Sequence, residues 1–153
     1  AKNEISFPFG HGLSYTSFEW SDVKVSFCRD AYHISLLVKN TGNLPGKDVV
    51  QLYITAPDGE LLKPSMELKA FCKTGLLQKG ESQTVTMELK IRDLASFDED
   101  ESAFVVDKGI YRLSLARSSE NIVTTIQVKA PYKKYSVTDV LHPDRTLQTL
   151  KME

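Results

Sequence analysis

Residues 32–56 read YHISLLVKNTGNLPGKDVVQLYITA, two strands and the turn between them. Ile34, Leu36 and Val38 fall on one face of the first run, and Val50, Leu52 and Ile54 on one face of the second. A period of two is what a strand shows when only one of its sides is buried. Between the runs, Asn40 and the six residues after it (TGNLPG) concentrate side chains that tolerate positive φ or pre-set it, so the chain must reverse here. Tyr53 lies on the face opposite Val50, Leu52 and Ile54, which makes it a candidate for an exposed or interdomain contact. The first expectation is an all-β domain.

Working outward, residues 18–27 (FEWSDVKVSF) alternate again, with Phe18 and Trp20, then Val23, Val25 and Phe27. The buried face changes between Trp20 and Val23, which predicts a bulge near Ser21 and Asp22, and Trp20 reads as core. Downstream, residues 67–77 read as a strand of weaker pattern. Residues 84–91 (TVTMELKI) alternate most cleanly, with Val85, Met87, Leu89 and Ile91 inward. Residues 92–97 suit one helical turn, 98–101 form an acidic tip, and 103–106, 110–116 and 122–128 complete the strands. Short strands at intervals of roughly 8–14 residues with turn residues between them are the pattern of an antiparallel sandwich, which is favoured over a barrel.

The two ends differ from this. Residues 5–15 (ISFPFGHGLSY) have neither period, but they carry Phe7, Phe9 and Tyr15, rings costly to leave in water. The expected organisation is a connector over 1–17, a sandwich over 18–129 and a C-terminal extension over 130–153. The extension has only weak periodicity at Val140, Leu141, Leu147 and Leu150, with room for a short helix after Pro143 opened by Asp144.

The chain has 153 residues, enough to bury roughly 70% of its unfolded surface without metal or disulfide staples. Nineteen basic residues against 20 acidic ones, with no basic block, argue against a nucleic-acid partner. No apolar run approaches the ~20 residues that cross a bilayer, so no membrane span is expected. Lys2-Asn3-Glu4 leads into Ile5 without the apolar stretch of a secretory leader. Cys28 and Cys72 could pair, although buried free thiols are the simpler reading.

The segments FPFGHGLSYTSFEW (7–20), VKNTGNLPGKDVVQLYI (38–54), MELKAF (66–71), LLQKGESQTVTMEL (76–89), RDLASFD (92–98) and the Gly109-Ile110-Tyr111 opening of a late strand occur in one fixed order. That order resembles the C-terminal fibronectin type III-like domain of family 3 glycoside hydrolases, the β-glucosidases and β-xylosidases, over residues 7–128. Ala70 stands where the family commonly has Gly, and Lys79 where Pro usually precedes Gly-Glu. The resemblance implies an immunoglobulin-like sandwich in which residues 40–46 form a corner between sheets rather than a hairpin. It also implies that the aspartate nucleophile and the glutamate acid/base lie on domains upstream of this chain. Those catalytic domains of the same polypeptide are then the expected partner, with Phe7, Phe9, His11, Tyr15 and Tyr53 as interdomain contact candidates. A secreted or periplasmic parent is favoured over a cytoplasmic one, with the compartment left open.

The residues themselves present no expected catalytic, metal or cofactor site. A retaining glycosidase needs two carboxyl groups about 5 Å apart, one in a partly apolar setting. Asp98, Glu99, Asp100 and Glu101 cluster, but four acids on a turn read as a solvated tip. His11, His33 and His142 show no ligand spacing with the cysteines; His11, between two glycines, reads as a hydrogen-bonding connector residue. Three functions stay open: an accessory domain that stabilises a glycosidase, a carbohydrate-binding module using Trp20, Tyr53 or Tyr132, and a free-standing protein-binding fibronectin domain.

Overall fold

The computed structural model describes residues 6–59, 61 and 63–138. Among them the strands are β1 (Phe18–Cys28), β2 (Ala31–Asn40), β3 (Val49–Thr55), β4 (Glu67–Lys73), β5 (Ser82–Lys90), β6 (Ser96–Asp98), β7 (Ala103–Val106), β8 (Gly109–Ser118), β9 (Asn121–Ala130) and β10 (Lys133–Ser136). One 3-10 turn, Ile91–Leu94, lies between β5 and β6, where a helical turn is expected. All pairings are antiparallel. A three-stranded sheet runs β1-β2-β5, a four-stranded sheet β4-β3-β8-β9, and a small third sheet β10-β7-β6.

β2 and β3 belong to different sheets, so residues 40–46 do form a corner between them. The apolar faces read from sequence meet across the interior. Ile34 and Leu36 are paired with Met87 and Val85 in the first sheet, with Val38 opposite Gln83, and Leu52 and Ile54 with Leu115 and Leu113 in the second. These residues share one core with Val50, Leu89, Ile91 and Tyr111, nearly all under 3% exposed. Burying each such aliphatic side chain contributes roughly 1.5–3 kcal/mol before entropy is subtracted. Two polar contacts tie the sheets together: Tyr32 Oη donates to Lys129 O at 2.6 Å, and Arg117 Nη2 to Phe18 O at 2.7 Å.

The pairing gives the sandwich two ends. Phe18, Asn40, Ser118 and Asn121 lie at the end where the chain enters; Cys28, Ala31, Gly109 and Ala130 lie at the far end, with the third sheet beside them. The bulge sits between Ser21 and Lys24, with Asp22 at φ 51°. Phe27 departs from the reading: it is 55% exposed, its ring 4.9 Å from that of Tyr32, because β1 has reached the end of the interior there. The start of the expected extension is laid along the third sheet. Residues 133–136 add β10 to β7, and Tyr135 lies under the Arg92 guanidinium at 5.4 Å. The expected helix after Pro143 lies outside the described residues.

Candidate interdomain interface

The connector approaches the sandwich with its backbone inward. Ser119 N donates to Phe9 O at 2.9 Å, and Thr41 N and Gly42 N both donate to Ser17 O at 2.8 and 3.1 Å. Gln51 Nε2 donates to Gly10 O at 3.2 Å. Within the connector, His11 N closes a turn on Pro8 O at 3.0 Å. The side chains point the other way: Phe7 is 71% exposed, Phe9 68%, Leu13 92% and Tyr15 94%. His11 is exposed as well, its ring 5.2 Å from that of Phe7.

Two buried amides hold this arrangement, and neither is singled out by the sequence reading. Asn40 is fully buried and uses its whole hydrogen-bonding capacity. Its Oδ1 accepts from Thr16 Oγ1 at 2.8 Å and Gly42 N at 3.0 Å, while Nδ2 donates to Leu44 O at 2.8 Å and Leu77 O at 2.9 Å. It therefore joins the connector to the corner and to the loop before β5. The signal was present as an amide closing an apolar strand just before Thr-Gly, where it also suits a plain turn. Gln51 sits on the outer face of β3, where its Nε2 also donates to Arg117 O at 2.7 Å and its Oε1 accepts from Tyr53 Oη at 2.7 Å.

Tyr53 requires a correction. It does stand on the face opposite Val50, Leu52 and Ile54, but it is 3% exposed, because this outer face is itself covered around Gln51, Ser114 and Ala116. Burial pushes its phenol up from the ordinary tyrosine range. Trp20 is partly buried rather than core: its Nε1 donates to Asp48 Oδ2 at 2.7 Å and Arg117 lies over its ring at 4.9 Å. Of the three aromatic candidates for stacking on sugar, Tyr132 alone is well exposed, at 54%.

The remaining polar candidates stay apart. Glu101 pairs with Lys134 at 2.8 Å, Asp107 pairs with Lys63, and Asp98 Oδ1 accepts from Glu101 N at 3.1 Å, so the acidic tip caps its own turn. His33 is exposed, 3.9 Å from Glu88 Oε2. His142 lies outside the described residues, among which no group of three or more His, Cys, Asp or Glu could hold a metal ion. Cys28 and Cys72 are free thiols; Cys28 is exposed at the end of β1 rather than buried. No helix among the described residues is long and apolar enough to cross a membrane.

Comparison with known proteins places these features in context. A model of the fibronectin type III-like domain matches residues 48–119. β-Glucosidase A of Butyrivibrio fibrisolvens is 42% identical over 137 residues, covering 77% of this chain and 16% of that protein. Among solved structures, β-glucosidase 3B from Thermotoga neapolitana in complex with glucose superposes with a TM-score of 0.82 at 42% identity, covering 86% of this chain and 18% of that one. The β-glucosidase of Kluyveromyces marxianus gives the same TM-score at 35% identity, with 88% and 17% covered. The chain thus spans about one sixth of the length of the relatives it matches.

Proposed function

Because the chain belongs to the fibronectin type III-like domains found in family 3 β-glucosidases, we propose that it serves as the non-catalytic accessory domain of a longer β-glycosidase, packing its connector face against the catalytic domains and stabilising them. The observation that carries this reading is the connector's inverted arrangement. Its main chain is hydrogen-bonded to the sandwich at Phe9, Gly10 and Ser17, while Phe7, Phe9, Leu13 and Tyr15 face outward. Held this way, the rings have already lost much of the backbone freedom that docking would otherwise cost. Covering them contributes roughly 1.5–3 kcal/mol per large apolar side chain.

Hydrolysis of the β-glycosidic bond is then performed by carboxyl groups outside this chain. Sugar binding by the domain has less support, since a stacking platform needs a free aromatic face and Trp20 and Tyr53 are both covered. Removing this domain from the full-length polypeptide tests the proposal. The melting temperature or the soluble yield should fall; an enzyme of unchanged stability and yield would exclude a stabilising role.

A further inference from the structure

We infer that Phe71, on the free edge of the four-stranded sheet, is a second anchor for the same preceding domains, which extend from the connector across the sheet's outer face onto β4. This rests on the reading of the connector face as an interdomain surface. β4 register places Phe71 directly opposite Gln51, the residue whose amide holds Gly10. Ala70 and Cys72 on either side of it pack toward the core, so Phe71 stands on the outer face, where it is 70% exposed. Antiparallel partners lie about 5 Å apart. The ring is therefore one strand away from Gln51, where the connector's Gly10 is held on the sheet.

An edge strand exposes unpaired backbone groups, and charged side chains normally discourage a foreign strand from pairing there. Glu67, Lys69 and Lys73 do this along β4. A phenylalanine left open among them works against that protection, unless another surface covers it. The occupant is identified by continuity. The chain corresponds to 16% of its relatives' length, and a polypeptide entering through the tethered connector is delivered onto this face.

Hydroxyl-radical footprinting of the full-length polypeptide, read by mass spectrometry at single residues, tests this. Phe97, 46% exposed on the third sheet at the far end, serves as the internal reference. Phe71 should be oxidised several-fold more slowly than Phe97, together with Phe7, Phe9 and Tyr15. If the connector rings are protected while Phe71 reacts as fast as Phe97, the connector packs as proposed and the second anchor is wrong. If all of them react as fast as Phe97, the interdomain reading fails and this inference with it. Protection of Phe71 that appears only as protein concentration rises would overturn the inference in favour of contact between two copies.

Discussion

Gly10 is the smallest residue on which the connector's placement depends. Its φ of 78° lies in the left-handed region, and a Cβ there would come within 2.2 Å of Gln51 Oε1. Gly10→Ala should therefore weaken connector docking by roughly 1–3 kcal/mol, from strain and loss of the Gln51 contact. Amide exchange at Ser119, which donates to Phe9 O, should accelerate while exchange at Leu115 stays unchanged; equal protection at both sites would contradict this. Asn40→Ala should cost roughly 2–4 kcal/mol, because it removes from a fully buried position the four hydrogen bonds that tie Thr16, Gly42, Leu44 and Leu77 together. Denaturant unfolding would show a lower midpoint, and a midpoint unchanged from the parent would rule out the amide's bridging role. Tyr111 differs, since its fully buried hydroxyl has no hydrogen-bond partner among the described residues. Burial first, and then the nearby Asp107 carboxylate, push this phenol up to about 12. The unfolded chain titrates near 10, so the folded state favours the neutral form. The stability this provides is fully present below pH ~10 and is lost as pH rises toward about 12. Tyr111→Phe should shrink the alkaline loss, leaving the smaller part due to Tyr32 and Tyr53, and raise neutral-pH stability by up to about 1 kcal/mol. An alkaline unfolding curve identical to the parent's would exclude this role.

At the scale of elements, the β1–β2 hairpin turns on two non-glycine residues, Arg29 at φ 50° and Asp30 at φ 60°. A two-residue turn of this kind favours Asn-Gly. Arg29→Asn should therefore stabilise the fold by about 0.5 kcal/mol, seen as a raised denaturant midpoint; a lowered midpoint would show that Arg29 makes a contact worth more than the strain it carries. The same hairpin illustrates what was legible in the sequence. Alternation located β1, β2, β3 and β5 and their buried faces, because each strand has one wet side and period two reports that directly. The Ser21–Asp22 bulge was legible because it flips the face. Tyr53 was misjudged because β3 is covered on both sides, and alternation cannot reveal a second cover. β10 was missed because Lys133 to Ser136 carries a single ring, Tyr135, between polar residues, so it registers as a strand only through its pairing with β7. The connector rings were legible by their cost in water, but the amides that hold its backbone were not. Beside their local bonds to Gly42, Leu44 and Tyr53, Asn40 and Gln51 reach partners 24 to 66 residues away, contacts that no local pattern records.

The whole molecule is a sandwich with unequal ends. At the entry end a tethered strap presents Phe7, Phe9, Leu13 and Tyr15, with Leu44 and Leu76 on neighbouring loops also more than half exposed. At the far end the exposed surface is divided between aromatic rings, the acidic tip with its partner Lys134, and the Asp30–Lys133 pair. A domain that stabilises its neighbours should depend on the first of these ends and tolerate change at the second. The most direct measurement is the thermal unfolding of the full-length polypeptide carrying Phe9→Ser and Tyr15→Ser together, beside one carrying Phe97→Ser. These rings make no core contact in the described structure, so their replacement leaves the sandwich's own packing intact. Loss of two packed rings, roughly 3–6 kcal/mol of interface, should lower the melting temperature of the catalytic domains by several degrees in the first protein only. Identical melting of both variants and the parent would contradict the claim that this face supports the enzyme.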